Sequence, residues 1–405
     1  MEPFKDLIYR ETTEEEKKVV EDRNWYAFEP TKYYDRKEIK EPELEESRGL
    51  FSGDELLCSC VLCPVEARLR GRRIPLGAVS AVASPPENRR RGYIAEMLRR
   101  SFQEMRERGI YLSTLWPFYY GFYEKLGWAL SSEELRYSIS VKQLQMNFKS
   151  QGGRYIPVDL DSYEVLKPSY EAWAETYDLT WYRRDDWWRN RVINRWGSKP
   201  FIYRWQDDAG ATRGYVIFSF KDTDSGRQLR VWELVYSDFI AYRALLHLLS
   251  LHDSQVKKVK LSAPVDDPLL QLVSDPRDAV ETKLRPGQMT RVVDVRAAVE
   301  AQGIGGSGIE REFSLEVQDR HCPWNNGVFA ITVSGGSVAC SGPADAGDSQ
   351  ADISLTINGF SKAYTGYRTV SQLAAIEQAA VNSKEALVLA DALWPRTKPF
   401  MIEEY

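Results

Sequence analysis

Hydrophobic spacing divides the chain into three successive blocks. In the first, residues 5–10 alternate as a short strand. Residues 12–28 follow as a helix, with Thr12 or Thr13 as cap and Glu14, Glu15 and Glu16 at its positive end. Lys32 to Ser47 is highly charged and reads as a second helix or a loop. Alternation resumes at Gly49, turns at Gly53-Asp54 and runs on from Leu56 to Leu69. Arg70 to Arg73 is the next turn, and Pro75 to Ser84 a strand of small residues that Pro85-Pro86 ends. Ile94, Met97, Leu98, Ser101, Phe102 and Met105 recur at helical spacing, which predicts a helix over 90–109 closed by Gly109. A strand at Ile110–Trp116 and a short helix at Phe118–Tyr123 complete the pattern.

The second block opens with an aromatic, charged stretch from Tyr170 to Trp196 that reads as helical. Strands are expected at 200–206, 212–221 and 229–236, a helix at 238–252 and a strand at 259–262. This order echoes the first block, without an Arg-x-x-Gly turn before its helix. The third block carries a helix at 295–302, a joint at 303–308, strands at 312–319, 327–333, 336–341 and 351–358, a polar loop at 342–350, and helices at 361–365, 369–375 and 383–393. The expected domains are 1–148, 149–290 and 291–405, and 405 residues are indeed too many for one ordinary core.

Composition narrows the chemistry. Charged residues make up 28 % and the formal net charge is −5, so no basic surface asks for nucleic acid. The N-terminus lacks the apolar core of a signal peptide, and no run approaches the roughly 20 apolar residues of a membrane helix. A cytoplasmic protein without a membrane partner is expected. Cys58, Cys60 and Cys63 form a C-x-C-x-x-C cluster, but no second cluster accompanies it. Free strand thiols in a reducing compartment are therefore expected rather than a metal site. With His247, His252 and His321 as the only histidines, a hydrolase built on a Ser-His pair is disfavoured. The abundant aromatic residues are expected in cores.

The segment Ala78 to Ile94 carries the most chemical information. A strand runs into a basic turn that opens a helix, and the first amides of a helix lack internal partners. With the helix dipole they make a pyrophosphate cradle. Gly92 lets the backbone approach the phosphates, and the arginines add charge. The run Arg89-Arg90-Arg91-Gly92-Tyr93-Ile94 resembles the Arg/Gln-x-x-Gly-x-Gly/Ala motif of the GNAT acetyltransferases, departing from it where Ile94 replaces a small residue. Phe122-Tyr123-Glu124-Lys125-Leu126-Gly127-Trp128 is similar to the Phe-Tyr-x-x-x-Gly-Phe element of the same superfamily. The resemblance makes Tyr123 the acid that protonates the departing thiolate. Tyr119 and Tyr120 are neighbouring alternatives.

The layout of the whole chain resembles the enhanced intracellular survival (Eis) family of GNAT-type N-acetyltransferases. The fold class this implies is α/β (α+β), with tandem acetyltransferase domains of mixed sheet flanked by helices and then a sterol carrier protein-like domain. It also implies acetyl-CoA as cosubstrate, no metal, and a cationic small-molecule amine (an aminoglycoside or a polyamine) or lysine as acceptor. The assembly implied is a homo-oligomer, a trimer or hexamer. The free carboxylate of Tyr405 would be the general base, although a frayed terminus is the ordinary state of a chain end. Val82, Ala83 and Ser84 would meet the pantetheine arm. Arg89, Arg90, Arg91, Gly92, Tyr93, Ile94 and Ala95 would meet the phosphates, and Phe118 and Tyr119 the region near the thiol. Trp25, Phe28 and Glu404 are the candidate acceptor contacts. The alternatives are a longer-chain acyl or aminoacyl transferase, or a lipid- or acyl-ligand-binding protein in which the C-terminal domain carries the function and the first domain only senses coenzyme A.

Overall fold

The computed structural model describes residues 4–31, 45–195, 198–224, 226–302, 311–345 and 350–405. Nearly all of the charged stretch from Lys32, and the joint at 303–308, lie outside the described residues. Chain order gives β1 (Ile8–Glu11), α1 (Glu14–Phe28), β2 (Glu46–Ser52), β3 (Glu55–Leu69), β4 (Arg72–Ala83), α2 (Tyr93–Glu107), β5 (Leu112–Leu115), α3 (Tyr120–Glu124) and β6 (Ala129–Leu130). Thr13 and Glu16 form a reciprocal capping box at the start of α1. Left-handed glycines at 53 and 71 turn the two hairpins. Along α2 the apolar stripe Met97, Leu98, Phe102 and Met105 is fully buried, as its spacing requires.

The second unit contains β7 (Glu133–Ser140), α4 (Val141–Asn147), β8 (Arg154–Pro157), α5 (Lys167–Ala174), β9 (Phe201–Gln206), β10 (Thr212–Lys221), β11 (Gln228–Tyr236), β12 (Lys258–Pro264) and β13 (Val280–Pro286). A helix at Phe239–Ser250 packs against its sheet. Next comes β14 (Met289–Val292). The third unit is built on β15 (Arg311–Gln318), β16 (Gly327–Ser334), β17 (Ser337–Ala344), β18 (Ile353–Thr356) and β19 (Ala379–Val381). The architecture is thus two mixed sheets with flanking helices and a third, smaller α/β unit.

The sheets do not follow contiguous stretches of chain. The first has the order β1-β2-β3-β4-β5-β14-β6, and the second β13-β7-β12-β11-β10-β9-β8. The first two units therefore exchange strands. The stretch 133–140, within the expected first domain, sits in the second sheet; β14, at the expected boundary near 290, sits in the first. Met289 and Thr290 pair with both β5 and β6, so a strand far along the chain closes the gap between them.

Other expectations shift locally. The aromatic stretch from Tyr170 is not one helix. The 3-10 turn Leu160–Leu166 leads into α5, and a short turn at Asp185–Trp187 passes into a π-helical turn at Trp188–Val192. Its rings Tyr170, Trp173, Trp181, Trp187 and Trp188 are core. The strand expected to reach 358 stops at Thr356, whose hydroxyl accepts the Gly359 amide and starts a helix over Ile357–Tyr364. Cys58 and Cys60 face the cluster around Met97, whereas Cys63, an odd number of residues on, faces the opposite side. That alternation breaks up the C-x-C-x-x-C cluster, and all five cysteines are free and buried. Among the described residues no helix is long and apolar enough to cross a membrane.

Candidate active site

Strands β4 and β5 are parallel and paired only from Leu76–Ala78 to Leu112–Thr114. Beyond Ala78 they separate, and a cleft opens between their C-terminal ends. On its other side β4 carries a bulge. Ser59 pairs with Ala83 and Val61 with Ser80, so Ala81 and Val82 together oppose Cys60. Ala81 is held at φ +49°, a conformation that costs a non-glycine residue about 1–2 kcal/mol. The surplus residue is left without a partner in the ladder, next to where β4 and β5 cease to pair. Sequence reasoning named Val82, Ala83 and Ser84 here but missed Ala81. A bulge is a property of two strands, and the small-residue run alone carries no signal for it.

After Pro85, a single 3-10 turn (Pro86–Asn88) leads into Arg90 at φ +60° and Gly92 at φ +85°, which starts α2 without any side-chain cap. Among the described residues, the amides of Arg90 through Ala95 donate to no protein acceptor. Six successive N–H groups at a positive helix end form an anion cradle. The arginine side chains divide their tasks: Arg89 Nε donates to the Ser84 carbonyl at 3.1 Å and ties the turn to the strand end, while Arg90 and Arg91 extend into solvent. A Cβ on Gly92 would stand 3.1 Å from the Phe4 ring. Ile94, at the position where the motif has a small residue, packs its side chain against the first unit's core, as does Ala95.

The corresponding helix of the second unit, Phe239–Ser250, begins differently. The Asp238 carboxylate accepts the Ala241 amide at 2.8 Å and pairs with Arg213 at 2.5 Å, so a fixed negative charge already fills the anion position. Of these two helices, the one in the first unit has the open cradle.

Tyr123 lies in α3 and is 3 % exposed. Its ring packs on Phe118, Phe122 and Trp128 at centroid distances of 5.6, 5.1 and 6.0 Å. Burial, reinforced by Cys60 opposite the bulge, holds its phenol well above the ordinary tyrosine range. Its hydroxyl makes no hydrogen bond to a described residue. Phe118 and Tyr119 stand 70 % and 65 % exposed, and the Tyr120 hydroxyl is committed to the Gly287 carbonyl. Of the three tyrosines, Tyr123 is the one buried against the same cluster as Cys60 and Ala95. The motif glycine has its own cause. Gly127 sits at φ +92°, and a Cβ there would fall 1.5 Å from Arg291 Nη1. That guanidinium, from β14, donates to the Leu126 carbonyl at 2.7 Å and pairs with fully buried Asp319 at 2.6 Å.

The last residues approach β5 from the other face of the sheet. Thr114 and Leu115 point to opposite faces of β5; Leu115 belongs to the cluster of Tyr123, while the Tyr405 phenol ends beside Thr114 and Cys63. The Tyr405 hydroxyl is buried without a hydrogen bond of normal geometry, and burial raises its pKa above the usual range. Its ring stacks near Trp181 at 5.1 Å. Two residues earlier, Glu403 is 2 % exposed and accepts from Tyr170, Arg183 and Trp187. Glu404 turns outward to Arg195 at 3.3 Å. Trp25 and Phe28 lie in the last turn of α1. Phe28 is 51 % exposed, and among the described residues no ring contact joins either to Tyr123 or Tyr405. A cavity of about 320 Å³ lies beside the tail, bounded by Pro64, Glu66, Arg108, Trp181, Arg184 and Trp187. It reaches the tryptophans that hold Tyr405 and Glu403, but neither Tyr123 nor the bulge.

A splayed β4/β5 pair, a bulge, an open helix cradle and a buried tyrosine define an acetyltransferase of the GNAT class. Acetyltransferase (GNAT) domain models match residues 8–131 and 180–292, and a sterol carrier protein domain model matches 295–402. An uncharacterized N-acetyltransferase of Streptomyces avermitilis is 26 % identical over 80 % of each chain. The N-acetyltransferase Eis of Mycobacterium tuberculosis is 24 % identical over 87 % of this chain and 86 % of its own. Among solved structures, Eis1 from Mycobacterium abscessus superposes with a TM-score of 0.77 at 26 % identity, covering 98 % of this chain and all of the other. A GCN5-related N-acetyltransferase from Anabaena variabilis shares the fold with a TM-score of 0.83 at 23 % identity, over 98 % and 100 % of the two chains. The chain thus joins two acetyltransferase (GNAT) domains to a sterol carrier protein domain and has Eis-like N-acetyltransferases as homologues over most of its length.

Proposed function

We propose that the protein transfers the acetyl group of acetyl-CoA directly to an amino group of a cationic small molecule, aminoglycoside- or polyamine-like, or of a lysine. The observation that carries this reading is that the bulge at Ala81–Val82, the unpartnered amides of Arg90–Ala95 and Tyr123 all border one cluster, with Tyr405 arriving at β5 from the opposite face. The free amides fit a pyrophosphate, and the bulged strand fits an amide-bearing arm laid along it. Acetyl-CoA supplies an activated thioester. Amides of the bulge are placed to polarise its carbonyl. The Tyr123 phenol, kept protonated by burial, gives its proton to the departing sulfur. The Tyr405 carboxylate takes the proton from the attacking amine. Phe118 and Tyr119, exposed beside Tyr123, cover the thiol end.

Exposed Phe239 and Ile240 support self-association into the trimer or hexamer expected for this family, which light scattering tests. A cytoplasmic location accords with the free cysteines. The activity is tested by thiol release from acetyl-CoA against a panel of polyamines, aminoglycosides and lysine peptides. Acetylation of at least one amine is expected. No turnover on any of them, with tight binding of an acyl chain instead, would overturn the reading.

A further inference from the structure

We infer that Glu403 is a positioning residue for acetyl transfer: its buried carboxylate, locked through Arg183 to Glu233, fixes the direction and reach of the last two residues of the chain. The inference rests on the reading of the Tyr405 carboxylate as the base.

Every acceptor of Glu403 is used. Oε1 accepts from Arg183 Nε at 2.8 Å and the Tyr170 hydroxyl at 3.0 Å, and Oε2 from Trp187 Nε1 at 2.7 Å. Its main-chain carbonyl accepts from Trp116 Nε1 at 2.9 Å. Trp116 directly follows β5, so the clamp joins the second unit to the strand that carries Thr114. The other end of Arg183 grips Glu233 at 2.7 and 3.1 Å, and the Tyr215 hydroxyl donates to that same carboxylate. Arg183 and Glu233 are wholly buried, and the guanidinium lies 3.8 Å over the Tyr170 ring.

Such a cluster is a poor device for stability alone, because apolar side chains of similar volume fill a core at least as well. What it supplies is register. Two consecutive glutamates precede Tyr405, and two arginines sort them: Arg183 takes Glu403 inside, and Arg195 takes Glu404 outside. A slip of one residue would place Ile402 or Glu404 against Arg183 and move the chain end. From Glu403, two extended residues reach at most about 7 Å. The terminal carboxylate is therefore held within a short arc of a fixed point, with the Tyr405 ring set on Trp181.

The test uses Glu403→Gln, which keeps size and one acceptor while removing the charge, beside an enzyme extended by one glycine after Tyr405. Initial rates at saturating acetyl-CoA and amine are normalised to folded protein. For Glu403→Gln we expect kcat to fall at least tenfold and KM for acetyl-CoA to stay within twofold. Trp187→Phe, which deletes one donor to Oε2, should show a smaller loss in the same direction and covers the case in which Glu403→Gln folds poorly. If Glu403→Gln keeps kcat within threefold while the extension abolishes turnover, the positioning role is overturned and the base reading stands. If neither change affects kcat, the base reading fails and the inference with it. A loss that tracks the folded fraction alone would make Glu403 merely structural.

Discussion

Replacing Tyr123 by Phe isolates one proton. The ring keeps its contacts with Phe118, Phe122 and Trp128, and the hydroxyl it loses has no hydrogen-bond partner among the described residues. Folding stability should therefore change by no more than about 0.5 kcal/mol. The chemical step should change far more. A positioned general acid contributes about 10²- to 10⁴-fold, which is roughly 3–5 kcal/mol of barrier. Tyr123→Phe is expected to lower kcat by that factor at saturating substrates and to leave KM for acetyl-CoA within twofold, since the cradle amides are untouched. The pH profile adds an independent check. Burial raises the folded pKa of the phenol, so it stays protonated up to and beyond the ordinary tyrosine value of about 10. Its proton is thus fully present below pH 10 and lost only above it. In the wild type, kcat should rise as the amine deprotonates, with no alkaline decline below pH 10 from this group. A kcat within threefold of wild type, or a Tyr123-dependent decline below pH 9, would refute the assignment.

Three further perturbations act on named contacts. Gly92→Ala forces a Cβ at φ +85° and sets it 3.1 Å from the Phe4 ring, a strain of about 1–2 kcal/mol; affinity for coenzyme A by calorimetry should fall about tenfold while kcat at saturation holds. Gly127→Ala would drive a methyl into Arg291 and displace a guanidinium paired with Asp319. A loss of about 3 kcal/mol or more is expected in denaturant unfolding, and a change under 1 kcal/mol would contradict it. Arg183→Met leaves Glu233 and Glu403 buried without a shared counter-charge and should cost about 3–5 kcal/mol by the same measurement.

What could be read from the sequence is what one strand or helix determines by itself. The spacing of Met97, Leu98, Phe102 and Met105 gives α2, and the Gly53 and Gly71 turns give the hairpins. The basic turn at Arg89–Gly92 and the Tyr123…Gly127 element lie within short windows. The missed features are pairings between distant stretches. The bulge at Ala81 exists only against Cys60, and the exchange of β7 and β14 only across two sheets. In the sequence Glu403 is one of two adjacent acidic residues, with nothing to distinguish it from Glu404. Its burial depends on Arg183 and Trp187, more than two hundred residues earlier. For Trp25 and Phe28 a resemblance gives a place on the first helix, which does not decide whether a ring faces a pocket.

The strand exchange draws all three units around Tyr123 and Tyr405. Tyr123 belongs to the first, but the turn behind it closes on Arg291 of β14, and Arg291 is neutralised by Asp319 of the third. The chain end runs in the same sense. It leaves the third unit after Trp394, lays Phe400 between Trp173 and Tyr177 of the second, anchors Glu403 on Arg183, and ends beside Thr114 of the first. The Tyr123 and Tyr405 side chains thus lie on opposite faces of one sheet, each held by residues from another unit. Removing the third unit would take away both Asp319 and the tail, so truncation is expected to damage the Tyr123 side as well as the Tyr405 side. Adding the missing piece as a free peptide could restore only the second.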